Sequence, residues 1–378
     1  MYKAQNINMF KTVGVAAVII VLLMTCSNSP PTLKKAYKNI FIIGTSVNTE
    51  QINKGDQKAH EILTWEFGAI TAENCMKWEK IHPEPGKYDF KQADKFVNLA
   101  EENDMYVVGH VLIWHSQTPG WVFYNEDSSK VSRDVLIQRM KEHIHTVVGR
   151  YKGRVDCWDV VNEAVDDNGN LRDNIWAQII GKDYVQLAFK FAREADPDAE
   201  LIYNDFSMPS PVKRDGVIRL IKEIQGNGVK VDGIGLQAHY HLDYPDLRQL
   251  EKSIVKFSEL GVKVMITELD INILPFPDEL LGEADVRIDM EKRAGYDPYT
   301  KELPDSMQQA LTNRYVDFFK LFIKHKDKIS RVTVWGIHDA QSWLNYWPID
   351  DRTNYPLLFD RNYQAKPAYE AIISLSRQ

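Results

Sequence analysis

Two stretches of this chain end in a carboxylate where an apolar run stops. In "CWDVVNEAVDDNG", Trp158 to Val161 read as a short buried strand, and Asn162 and Glu163 follow it. In "VKVMITELD", the run from Val262 ends in Glu268 and Asp270. An ionisable group beside an apolar strand is costly to bury unless something uses it. Two such glutamates suit a division of labour. One carboxyl donates a proton to a leaving oxygen, and the other attacks the carbon or directs water, which is the pairing that hydrolyses a glycosidic bond. For either glutamate alone a salt bridge or helix cap is the plainer explanation. The case therefore rests on what accompanies them.

Eight β-runs recur along the chain: "FIIGTSV" from Phe41, "FGAITAEN" from Phe67, "YVVGHVLIWH" from Tyr106, "VDCWDVVNE" from Val155, "LIYNDF" from Leu201, "DGIGLQAHY" from Asp232, "VKVMITELD" from Val262 and "RVTVWGIHD" from Arg331. Helical patterns separate them. Tyr184, Leu187, Ala188, Phe191 and Ala192 share one helical face, as do Leu247, Leu250, Ile254 and Phe257. Near-continuous apolar strands alternating with amphipathic helices mean a parallel sheet covered by helices. Eight units predict an α/β fold, a (β/α)8 TIM barrel forming a single catalytic domain, which takes about 250 residues plus insertions. "KPAYEAIISLS" is the closing helix. A doubly wound open sheet would carry a Gly-rich turn after its first strand, and "GTSVNTEQINKG" is not one.

In a barrel the chemistry sits at the C-terminal ends of the strands. The second run ends in Glu73-Asn74 with Lys77 beyond, and the third in His110, Trp114 and His115. The fourth ends in Asn162-Glu163, the fifth in Asn204-Asp205, the sixth in Gln237 and His239. The seventh ends in Glu268 and Asp270, and the eighth in Trp335 and His338 with Trp343 after it. Many donors and acceptors beside indole faces describe a sugar site: hydroxyls take the hydrogen bonds and C–H faces stack on rings. Fourth and seventh strands lie on opposing sides of an eight-stranded mouth, so the two glutamates approach a sugar from different sides.

The remaining composition is bland. The chain has 378 residues, 44% hydrophobic and 26% charged, with a net charge of −7. No basic field is available for nucleic acid. Lys3 and Lys11 precede an apolar run, Val13 to Thr25, too short for the roughly 20 residues that span a bilayer. A basic start, a short apolar run and "CSNSPPT" read as a secretory signal. Leu23-Met24-Thr25-Cys26 is similar to a bacterial lipoprotein box, with Thr25 where Gly, Ala or Ser is usual. Residues 1–25 are thus expected to be a signal peptide, Cys26 the lipidated residue, 26–37 a linker and 38–378 the barrel. Ser27 lacks the acidic character that retains some lipoproteins at the inner membrane, so an outer-membrane anchor is expected, and simple secretion otherwise. Cys75 and Cys157 read as buried thiols. His143 and His145 are expected on the polar part of a helix, and Trp78 and Trp121 in packing.

"TAENCMKWEKIHPEPGKYDF", "GHVLIWHSQTPGWV", "WDVVNEA", "LQAHY", "ITELDI" and "VWGIHDAQSWLN" resemble, in order, the signature blocks of glycoside hydrolase family ten, the endo-β-1,4-xylanases. They run from about residue 38 to 375. The resemblance implies a retaining double displacement on xylan and xylo-oligosaccharides by a monomer, with neither metal nor cofactor. It implies Glu163 as acid/base, Glu268 as nucleophile, and Asn162 as partner of the 2-hydroxyl. His239 would orient Glu268 with Asp270 behind it, and Gln237 and Asp159 would support the Glu163 side. Glu73, Asn74 and Lys77 would hold the glycone sugars, with His110, Trp114, Trp335 and Trp343 lining that side. Retention needs the carboxyls about 5–5.5 Å apart. Glu163 must start protonated, and the nearby charge of Glu268 is expected to raise its pKa. The long connection from Leu274 to Asp305 is expected on the leaving-group side. A β-1,4-glucanase or an exo-acting enzyme on the same fold is the nearest alternative. A non-catalytic polysaccharide-binding barrel is the remote one, and it would not need both carboxylates.

Overall fold

A computed structural model describes residues 31–277, 280, 284–292 and 295–377. The expected signal segment and Cys26 lie outside the described residues. Strands β1 (Ile42–Val47), β2 (Ala69–Ala72), β3 (Tyr106–Ile113), β4 (Cys157–Asn162), β5 (Glu200–Asp205), β6 (Gly233–Leu236), β7 (His239–His241), β8 (Lys263–Asn272) and β9 (Ile329–Val334) pair in parallel throughout. Pairing of β1 with β9, and of β6 with β8, closes the sheet into a barrel. This is the expected (β/α)8 architecture. The ninth strand arises because the sixth expected run is broken: β7 pairs with the far end of β8 alone.

The amphipathic helices cover the barrel as their spacing predicts. In the helix Leu247–Ser258, Leu250, Ile254 and Phe257 are fully buried, and the Asp246 side chain caps the first turn by accepting from Arg248 N and Gln249 N. In the helix Tyr184–Ala195, Tyr184, Ala188, Phe191 and Ala192 face inward. Burial of such aliphatic and aromatic side chains contributes roughly 1.5–3 kcal/mol each against an exposed reference. Inside the barrel, Val108, Cys157, Ile202 and Met265 form a separate small layer from four strands. Cys75 and Cys157 are both buried free thiols.

Two expectations are corrected. A linker is expected over residues 26–37, but Leu33–Ala36 form a helix, and Leu33 and Tyr37 are fully buried. Leu33 N donates to Glu66 Oε2 (2.8 Å), and Tyr37 Oη donates to Ile372 O (2.6 Å), so this segment is fastened to the closing helix Pro367–Leu375. The Pro-rich run before it hid two apolar anchors too few to read as a helix. His143, expected on a polar face, is fully buried within the helix Arg133–Arg150. Its ring stacks on Trp78 with centroids 3.6 Å apart, in a cluster with His82 and Tyr88. A neutral imidazole packs as a flat aromatic, which a polar/apolar pattern does not register. His145 does pair at the surface with Glu194 (3.3 Å).

Burial holds the His82 imidazole down at about 4 and His143 well below its ordinary value. The unfolded chain takes up these protons near pH 6.5, whereas the folded chain does not. Stability is therefore complete above about pH 6.5 and falls as pH drops through it, by about 1.4 kcal/mol per pH unit for each fully excluded proton. His143→Phe is expected to lose less Tm than the parent between about pH 7.5 and 5. Equal losses on thermal unfolding would count against this account.

Candidate active site

Glu163 follows β4 directly. Asn162 pairs in register with Asn204 of β5, and Glu163 N donates to Asn204 O (2.9 Å). The next backbone step is left-handed, with φ +58° at Glu163, a conformation unfavourable for a residue with a Cβ. Surrounding hydrogen bonds hold it there. Arg172 Nε donates to Glu163 O (3.1 Å), and the amides of Ala164 and Val165 donate to Tyr203 Oη (3.1 Å each). The carboxyl is buried and meets only neutral donors: Trp114 Nε1 (2.8 Å), Gln237 Nε2 (3.0 Å) and Asn162 Nδ2 (3.0 Å). Burial, then the charge of Asp205, push Glu163 up to about 7. Asp205 supplies the repulsion expected of Glu268, and is itself paired with buried Lys213 Nζ (2.9 Å).

Glu268 lies in β8 and has a different environment. Asn204 Nδ2 donates to its Oε1 (2.7 Å), and His239 Nε2 lies 3.2 Å from its Oε2. His239 Nδ1 is 3.1 Å from Asp270 Oδ1. Burial alone lowers the imidazole, but Asp270 and Glu268 outweigh it and raise His239 to about 10, so both ring nitrogens donate. Burial likewise opposes ionisation of Glu268, but the bond from His239 and the charge of His110 hold it below the usual carboxylate range. The break between β6 and β7 makes this possible. Ala238 adopts φ +65°, and the register His239↔Asp270 sets the imidazole beside its carboxylate. Gln237, on the other side of that break, turns to Glu163 and also donates to Asn162 Oδ1 (3.1 Å). Gly235 leaves the room Asn204 needs, since a Cβ there would sit 2.4 Å from Asn204 Oδ1.

Both glutamates line one cleft. Glu73, Asn74, Lys77, His110, Trp114, Asn162, Gln237, His239, Trp335 and Trp343 line it with them, as do Gln117, Ala284 and Val286. Lys77 Nζ donates to Asn74 Oδ1 (3.0 Å) and Gln117 Oε1 (2.7 Å) and lies over the Trp114 ring. Trp343 Nε1 donates to Asp270 Oδ2 (2.7 Å), so one residue forms wall and brace together.

Asp159 and Asp270 stand behind the lining. Asp270 pairs with His239 Nδ1. Asp159 accepts at 2.8 Å from His110 Nδ1, not from a partner of Glu163, and so serves the Glu268 side. Regular alternation would put Asp159 on the same face as Glu163, four residues on, but the register of β4 against β5 shifts between Asp159 and Val161. His110, Asp159 and Glu268 bring ligand atoms within 4.8 Å of one another, but the His110–Asp159 bond occupies two of them. His115 sits 4.0 Å from Glu163 Oε2, and burial holds it at about 3, hence neutral. The connection after β8 is also corrected. Val286, Ile288 and Asp289 share a groove with Asn48, Glu73 and Trp343, the residues expected to hold the glycone sugars being Glu73 and Trp343. Trp347 Nε1 donates to Asp285 O (3.1 Å), and Met290 N donates to Pro348 O (2.8 Å), tying that segment to the wall after β9.

Asn204, Asp205 and Gln117 are functional residues that sequence reasoning left without a role. Asn204 and Asp205 were visible as strand-end groups.

Two substitutions separate the roles by pH. The bond from Trp114 favours ionised Glu163, so Trp114→Phe is expected to move the alkaline limb of kcat/KM, near pH 7 in the parent, upward by about half to one unit. The bond from Asn204 favours ionised Glu268, so Asn204→Ala is expected to move the acid limb upward while the alkaline limb stays. Limbs that move the opposite way would contradict the two environments described.

The comparisons agree with this geometry. Residues 32–375 match the profile of glycosyl hydrolase family 10. The chain is 46% identical to endo-1,4-beta-xylanase A of Xylanibacter ruminicola over 92% of this chain and 94% of that one. It is 41% identical to the beta-1,4-xylanase of Dictyoglomus thermophilum, over 91% and 90%. A family 10 endoxylanase structure retrieved from a sugarcane soil metagenome superimposes with a TM-score of 0.88 at 46% identity, covering 91% of this chain and 99% of that one. The chain belongs to glycosyl hydrolase family 10.

Proposed function

We propose that the chain is a retaining endo-β-1,4-xylanase working by double displacement. The observation that carries the mechanism is the opposite electrostatic treatment of two buried carboxyls in one cleft: Glu163 raised to about 7, Glu268 lowered. Protonated Glu163 donates to the glycosidic oxygen as the aglycone leaves. Ionised Glu268 attacks the anomeric carbon and forms the glycosyl-enzyme bond. Glu163, now a carboxylate, takes a proton from water as the water's oxygen attacks the same carbon. The Glu268 oxygen leaves, and its charge returns to the bond from His239. Asn162 holds the 2-hydroxyl, an interaction that strengthens in the transition state, where binding energy accelerates chemistry. The walls formed by Trp114, Trp335 and Trp343, with Glu73, Asn74 and Lys77, hold the glycone sugars.

Glu268→Ala is expected to lower xylan hydrolysis by roughly 10^4-fold or more while xylo-oligosaccharide binding survives. Xylan is expected to be cleaved faster than carboxymethylcellulose. The first anomer released should be β, read by NMR during early turnover. An α-anomer would mean inversion and would remove the nucleophile role of Glu268.

The basic, apolar and Cys-bearing N-terminus supports export and lipidation at Cys26, with an outer-membrane location. Cys26→Ala is expected to shift activity from the membrane fraction to the soluble fraction of expressing cells. Activity remaining wholly with membranes would refute the anchor.

A further inference from the structure

The cleft does not stop at Glu73 and Trp343. Both also line a second, open groove that runs on from the glycone side. Glu50 flanks it after β1, and Ile288 and Asp289 flank it from the connection after β8. Trp343 and Trp347 stack beside it with ring centroids 4.6 Å apart, and Tyr346 is 63% exposed. An exposed aromatic ring at the end of a sugar cleft is a platform for the C–H face of another sugar. The groove's charge is one-sided. Glu50 and Asp289 line it as exposed carboxylates, Glu73 lies beside the Lys77 ammonium with its pKa raised by burial, and among the groove's described lining residues there is no Lys, Arg or His. Glu50 is fixed by Gln341 Nε2 (3.0 Å), and Arg287, next to Ile288, folds back onto Asp285 Oδ1 (2.8 Å).

We propose that this groove is a charge-selective extension of the glycone side, accepting a further sugar with neutral side groups and refusing one that carries a carboxylate. The inference rests on the xylanase reading. Like charges held a few ångströms apart at a solvated surface repel weakly, so the expected discrimination is about threefold to tenfold at low ionic strength. Salt screens such an effect, whereas a steric barrier is indifferent to it.

The test compares glucuronoxylan with the same polymer after reduction of its uronic carboxyls, using the full chain. The reduced polymer is expected to show the higher kcat/KM. The ratio should shrink in about 0.5 M salt, and shrink again in the double variant Glu50→Gln/Asp289→Asn at low salt. Equal rates on the two polymers would overturn the proposal, as would a ratio insensitive to both salt and the double variant. Undecorated xylohexaose serves as the reference: if it is cleaved while the polymer ratio is one, only the groove assignment falls. If it is not cleaved, the xylanase reading falls with it.

Discussion

Two carboxyl groups of the same kind must be held in opposite protonation states within one cleft, and much of the barrel mouth follows from that requirement. Burial alone would keep both protonated. Glu163 is left close to that outcome, with neutral donors on its oxygens and the charge of Asp205 nearby. Glu268 is moved the other way by a protonated imidazole. That imidazole stays charged because Asp270 stands behind it, and Asp270 is in turn held by the indole of Trp343. The asymmetry is therefore built from partners of partners, and Asn204 and Gln237 are as much part of it as the two glutamates.

Backbone irregularities deliver these groups. A regular strand alternates its side chains, so consecutive residues cannot serve one mouth. The left-handed step at Glu163 and the break at Ala238 bend the chain where β4 and β6 end. Gln237 and His239 thereby reach different carboxyls from a single short segment. Such conformations persist only where surrounding bonds over-determine them. The bonds from Arg172 to the Glu163 carbonyl, and from the Ala164 and Val165 amides to Tyr203, are that surrounding support.

The parallel barrel could be read from the sequence because its signals are local. Apolar β-runs, amphipathic helices such as Leu247–Ser258, and polar residues at strand ends each occupy a short window of chain. Strand ends also bring Glu163, Glu268, Asn162, His239 and the indoles to one mouth by topology alone. Less was legible where a local pattern has two meanings. His143 follows a polar spacing yet packs as an aromatic against Trp78. Residues 31–37 look like linker, yet Leu33 and Tyr37 are buried, and Tyr37 bonds to Ile372, over three hundred residues away in sequence.

By itself the sequence determined residue types, the order of strands and helices, and hence which side chains could meet at the mouth. Only the tertiary structure decided what each carboxyl feels. A pKa depends on burial and on charges a few ångströms away, and those neighbours come from other strands: Asp205 of β5 for Glu163, His239 of β7 and Asn204 of β5 for Glu268. It likewise decided that Asp159 serves His110, and that the connection after β8 shares a groove with Glu73 and Trp343. Periodicity carries the direction of a strand, but the distance between two side chains on different strands exists only once the barrel has closed.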